Sequence, residues 1–373
     1  MENAMNPAGA VAQKLQGTQR NNNFTIIRMI ATIFVFVGHM GIIMGGDPSL
    51  FGSEGLHQLG VEILFIMSGY LITKSWMSDP NPLRYTIRRF FRLWPPFAVM
   101  VLLMVCVAGP LLSSLGRNGY FESWYGVYLH NLRFFIVYEL PGVFENLPLA
   151  RTINGSLWTM PVEAAIYVLT PLILTVFRVR QNPKSSFRRM AIFTALVCAF
   201  DVYLRVFHAN ERVVFYGVNL LPAYHLLVFY VIGMLFTYEE VRKYLNMQIG
   251  CVGLCLVLFF QLSPEPLMYI IMYFAVPYFV FSFAFSPNPV FHKMGSKVEL
   301  SYGIYLYGFF FQQIVVYWEL KHGLLLGYTT VLLLSGALTV VAALISYYLV
   351  EKPSLRFSQY LVKKLKEKEA NRK

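Results

Sequence analysis

In the stretch RMIATIFVFVGHM an arginine, Arg28, and a histidine, His39, stand eleven residues apart within an otherwise apolar run. At 3.6 residues per turn this spacing is about three full turns, so both side chains leave a helix on nearly the same face, offset by roughly 16 Å along its axis. A cation at the end of a span can snorkel to the interface, and for Arg28 alone that reading stands. A histidine deep in the same stripe has no such route to water, and an ionisable group inside a membrane span is by default functional.

A second run, GSLWTMPVEAAIYVLTP, carries Glu163 about two turns in, at a depth close to that of His39. A carboxylate that orients a neutral imidazole, whose other nitrogen takes a proton, is the arrangement by which enzymes activate a hydroxyl. His39 and Glu163 are therefore the expected catalytic pair, with a structural hydrogen bond between helices as the alternative. A third stretch, RYTIRRFFRLWPP, gathers Arg84, Arg88, Arg89 and Arg92. Forked, always-charged groups beside aromatic rings suit phosphates and a stacked adenine, and anchoring at lipid headgroups is the competing use. Glu62, His225 and Gln312 with Gln313 fall in the same half of the membrane as His39, where core hydrogen bonding competes with a role beside an acceptor. No metal site is expected: Cys106, Cys198, Cys251 and Cys255 lie within spans and read as small apolar fillers.

The elements that carry these residues are membrane helices. The chain is 57% hydrophobic and only 13% charged, too apolar for an ordinary soluble domain. Runs long enough to cross about 30 Å of hydrocarbon recur along it, which predicts an all-α polytopic bundle of about ten transmembrane helices. Residues 1–23 are expected to form a disordered tail and 24–350 the membrane domain, with a long extracytoplasmic loop at 113–155. Residues 351–373 form a basic tail suited to anionic lipid. The third span is expected at Pro95 to Leu112, with the arginine-rich stretch as its inner foot. Of 31 Lys and Arg, only Arg117, Arg133, Arg151, Arg212 and Lys321 fall on outer segments, while most of the others collect on inner ones. The net charge of +12 is therefore a topology signal that puts both termini in the cytoplasm, and not a nucleic-acid footprint.

Six ordered motifs carry a resemblance that spans almost the whole chain. Arg28 and His39 match an arginine and histidine ten residues apart between them. GVEILFIMSGYL matches a glycine-valine second span with a serine-glycine ending, and Arg89 with Arg92 matches an Arg-x-x-Arg element. Ser156 to Glu163, Ser301 to Leu306 and Glu351 to Pro353 complete the set. The chain resembles the acyltransferase 3 family of polytopic membrane enzymes, which O-acylate O-antigen, exopolysaccharide, peptidoglycan and Nod factors. Gly308 stands where many members have a histidine, and the acidic residue of the second span is here Glu62.

The resemblance implies an O-acyltransferase of the bacterial inner membrane, taking an acyl group, acetyl in the first instance, from cytoplasmic acyl-CoA. No tightly bound cofactor is expected. Arg28, Arg89 and Arg92, with Arg88 in the same set, would hold the donor's phosphates. The acceptor would be a lipid-linked or polymeric surface glycan whose hydroxyl is reached near His39. The competing class is a glycan or lipid transporter or flippase, since ionisable residues also line pathways; no inverted repeat is evident, and the basic foot has no obvious role in a pump.

Overall fold

The computed structural model describes residues 22–46, 55–179, 183–260, 265–286 and 298–371, and the expected amino-terminal tail, residues 22 and 23 apart, lies outside them. The main helices are α1 (Phe24–Ile43), α2 (Leu56–Ser78), α3 (Pro82–Leu103), α4 (Thr159–Val176), α5 (Pro183–Phe207) and α6 (Leu220–Leu235), then α7 (Met247–Phe259), α8 (Glu265–Ala284), α9 (Ser301–Lys321), α10 (Tyr328–Ser346) and α11 (Lys352–Ala370). Seven helical stretches among the described residues are long and apolar enough to cross a membrane. They include α3 continued to Leu112, a run of 31 residues, and α10 joined to α11, a run of 43. Helices α6 and α7 are apolar but shorter. The protein is thus an all-α membrane protein.

Interhelical contacts show successive helices running up and down. Asn23 at the start of α1 donates from its backbone to Ala284 O at the end of α8 (3.2 Å), and Gly60 of α2 packs on Ala31 of α1. Small residues set the closest approaches. A Cβ on Gly69 of α2 would fall 2.0 Å from Tyr230 O of α6, and one on Gly233 would fall 2.0 Å from Ile66 O. With no water to drive association inside lipid, such backbone proximity is how membrane helices gain packing.

Two expectations about boundaries are corrected. Helix α3 starts at Pro82, not Pro95, so the arginine-rich stretch is its first turns and not a foot between spans. Asn81 caps it, its side chain accepting from Arg84 N (3.0 Å), and Pro82 is pre-set for the first turn. Pro95 and Pro96 sit inside without ending it, their φ being compatible with the helix. Hydropathy had marked only the apolar part of a longer rod.

The basic tail is the second correction. It is not only a lipid-facing segment: α11 continues α10 through a π-helical turn, Tyr347–Glu351, and packs back along α3. There Ser358 is buried and donates to Ile87 O (3.5 Å), while Arg84 bridges Asp79 and Glu369.

The loop at 113–155 folds inward. It contains a helical turn, Gly116–Glu122, and a 3-10 segment, Tyr125–Arg133, and buries Tyr120, Tyr128, Val143 and Ile153 completely. Asn131 closes it on itself, accepting from Val137 N (3.1 Å) and donating to Tyr128 O (2.8 Å). Gln313 of α9 donates to Leu149 O (2.9 Å) and Thr152 O (2.8 Å), and Asn154 donates to Leu306 O (2.7 Å). These bonds seat α4, which follows the loop, against α9.

Candidate active site

A cavity of about 150 Å³ opens between α1, α2, α3, α4 and α9, and three guanidinium groups reach it. Arg28 comes from α1, Arg89 and Arg92 from α3, with Glu163 and Tyr167 of α4 on the facing wall. Positions 85, 89 and 92 share one face of α3 at helical spacing. On that face Arg89 lies over the rings of Tyr85 (5.8 Å) and Tyr167 (5.7 Å) and donates to Ser75 Oγ (3.2 Å). Arg92 lies over Tyr302 (5.7 Å). Arg88 is one residue round the helix and faces elsewhere: its Nη1 is 2.8 Å from Asp79 Oδ2, so it does not line the cavity.

Glu299, just before α9, supplies the counter-charge. Its Oε1 is 2.5 Å from Arg28 Nη1 and 3.4 Å from Arg92 Nη2, and Ser301 Oγ donates to it at 3.2 Å. Burial opposes its ionisation, but the guanidinium groups of Arg92 and Arg28 outweigh burial and hold the carboxyl below the usual range. Sequence spacing did not reveal this residue. Buried like charges on two helices do, however, require an anion nearby, and that requirement was the available clue.

The structure does not bring His39 and Glu163 together. Glu163 Oε1 accepts from the Tyr167 hydroxyl, one turn along α4. His39, 7% exposed, lies against His57 of α2 (ring centroids 5.3 Å) and Phe309 of α9 (5.2 Å). No hydrogen bond or ion pair joins the two expected partners. The depth argument placed them at similar levels, but it could not see that the face of α4 carrying Glu163 turns to the arginines. Along the Arg28 stripe, Thr32, one turn above Arg28, also lines the cavity, while His39, further along the same face, does not.

Glu62 and His225 do meet. His225 Nε2 is 3.1 Å from Glu62 Oε1, and Nδ1 is 2.6 Å from Asp201 Oδ2. Arg205 Nε donates to the same Asp201 oxygen at 3.1 Å, and the Tyr273 hydroxyl also donates to it. Asp201 escaped the sequence reading although Arg205 four residues on was the available signal, an acid and a base one turn apart in an otherwise apolar run. Gln312 donates to Phe36 O (2.6 Å), tying α9 to α1. A second cavity, about 490 Å³, opens at the His39 end and is bordered by His57, Gln58, Asp201, Arg205 and Tyr269.

The guanidinium-lined cavity and the histidine further along the same helix lie in a membrane bundle for which comparison with known proteins gives a family. The chain belongs to the acyltransferase 3 family, whose acyltransferase domain matches residues 21–350. It is 25% identical over 337 residues to an O-acetyl transferase of Shigella phage Sf6, covering 89% of this chain and 96% of that one. It is 23% identical over 363 residues to nodulation protein 10 of Rhizobium leguminosarum bv. viciae, covering 91% and 95%. Over 177 residues it is 27% identical to the peptidoglycan O-acetyltransferase OatA of Listeria monocytogenes, covering 43% of this chain and 27% of that one. No solved structure matches. The transporter alternative finds no support in these relatives.

Proposed function

We propose that the protein is an O-acetyltransferase of the bacterial inner membrane that moves an acetyl group from cytoplasmic acetyl-CoA to a hydroxyl of a lipid-linked or polymeric surface glycan. The observation that carries this reading is the convergence of Arg28, Arg89 and Arg92 on one intramembrane cavity. Guanidinium forks match phosphate geometry, and an enclosed site strengthens the interaction. Glu299 holds the forks in place until the donor's phosphates compete for them. The pantetheine arm then follows the Arg28 stripe toward His39. The glycan hydroxyl oxygen bonds to the thioester carbonyl carbon as the carbon–sulfur bond breaks. The hydroxyl proton passes to His39 and on to the departing thiolate, giving an O-acetyl glycan and free CoA. Glu163 and Tyr167, between the arginines and His39, border the donor's path.

This reading takes α1 to α10 as ten spans with both termini cytoplasmic. The alternation of the helices supports it, as does the return of the chain at Glu299 to the side of the bundle where Arg28 lies. The test is transfer of labelled acetyl from acetyl-CoA, supplied at the cytoplasmic face of membrane vesicles, to glycan recovered from the other face. Labelled glycan is expected with the wild-type chain and not with Arg89→Ala. Vesicles containing wild-type protein and leaving the glycan unlabelled overturn the reading.

A further inference from the structure

Helix α2 borders both cavities. Val61, Leu64 and Ser68 line the arginine cavity, and His57, on the same face at helical spacing, lines the larger cavity at the other end. From His57 to Val61 the helix rises only about 6 Å. At this point α1 and α2 are in backbone contact, since a Cβ on Gly38 would fall 2.3 Å from His57 N. This closeness sets the rings of His39 and His57 at 5.3 Å. His57 therefore stands between the candidate base and the larger cavity, at the top of a stripe whose lower positions face the donor.

The larger cavity is built to hold something polar. Asp201 and Arg205 form part of its wall, bonded to each other at 3.1 Å. From behind, His225 and Tyr273 fix Asp201, and Glu62 fixes His225. Arg205 is laid flat against Tyr269, 3.5 Å from the ring centre. Groups held this firmly present fixed donors and acceptors, which is what recognition of a polyol requires. The wall sets two carboxylates, Asp201 and Glu211, against one guanidinium, Arg205, a surplus of negative charge that suits a neutral ring better than a polyanion. A volume of about 490 Å³ is of the size that holds one small ligand.

We propose that this cavity is the acceptor site: it takes a neutral sugar ring of the surface glycan, with Arg205 and Asp201 holding its hydroxyls and His57 bringing the reacting hydroxyl to His39. The proposal rests on the acetyltransferase reading for its chemistry. In the vesicle assay, Arg205→Lys and Asp201→Asn raise the KM for acceptor about tenfold and leave the KM for acetyl-CoA unchanged, the size expected when one hydrogen bond to a charged group is lost. His57→Gln lowers kcat roughly a hundredfold with both KM values kept. Unchanged acceptor KM in both wall variants, or equal shifts for donor and acceptor, overturns the proposal. A second measurement does not depend on turnover. In the full-length chain, Ala209→Cys, on the cavity rim, is labelled with a polar thiol reagent while de-acetylated surface polysaccharide from the parent strain is added. Protection is expected, and its loss is expected when Arg205→Lys is combined with it; no protection at any polysaccharide concentration overturns the site. Protection without acetyl transfer would sink the donor reading and leave the acceptor site standing.

Discussion

Among the described residues His39 meets the rings of His57 and Phe309 and makes no hydrogen bond, so replacing it removes a proton acceptor without unthreading a network there. His39→Ala is expected to cut acetyl transfer by at least about a hundredfold while the protein stays at normal levels in the membrane. Near-normal product from a well-expressed variant would remove His39 from the chemistry. Glu163 and Tyr167 are two ends of one bond. Glu163→Gln and Tyr167→Phe should therefore lose similar activity, and the double variant should be no worse than the more damaged single one; additive losses would mean separate roles. Arg92→Lys should raise the KM for acetyl-CoA several-fold and Arg92→Ala further, because an ammonium keeps the charge but not the fork. Equal donor KM in both would assign Arg92 to holding the fold. Arg28, His39, Arg89, Arg92 and Glu163 were legible in the sequence because each shows within one helix as a polar residue at a telling depth or spacing. Their partners were not. Glu299 comes from the segment before α9 and His57 from α2, and spacing along one helix says nothing about what a neighbouring element will bring to it.

Helices were legible wherever apolar runs matched membrane thickness, and illegible where a rod outran the lipid. Both corrections, the early start of α3 and the docking of α11, are of that kind. The α2–α6 crossing yields a sharp test. Gly69 faces a carbonyl that belongs to its neighbour's backbone ladder and cannot swing away. Gly69→Ala should destabilise the bundle by about 1–3 kcal/mol, seen as a lower melting temperature in detergent; an unchanged melt would mean the helices separate freely. At the α3–α11 contact, the Arg84 and Arg88 guanidinium groups hold the Asp79 carboxyl at about 2, well below its ordinary value. A depressed carboxylate contributes stability that is complete above its unfolded value of about 4 and is lost as pH falls through about 2. The tail should thus resist pepsin at pH 4 and yield to it near pH 2. Asp79→Asn should expose Lys363 and Lys364 to trypsin at neutral pH, and equal trypsin rates in both proteins would show that this contact does not hold the tail.

At the scale of the whole molecule, the proposed chemistry needs two opposite faces, and sidedness can be read directly. A cysteine in place of Asn118, in the inward-folded loop, should react with a membrane-impermeant thiol reagent added to intact cells, and one in place of Ser185 should not. Labelling at Ser185 alone would exchange the donor and acceptor sides. The 43-residue run of α10 and α11 spans about 65 Å, roughly twice the hydrocarbon thickness. Its far half lies along the first turns of α3, beside Arg84, while the face about a quarter turn round offers Arg89 and Arg92 to the cavity. The start of α3 is in effect a cantilever, and the tail is its prop. Cutting the prop leaves every cavity residue in place yet lets the beam sway, so the donor would have to arrest that motion on binding. Affinity for acetyl-CoA would then depend on a segment that never touches it.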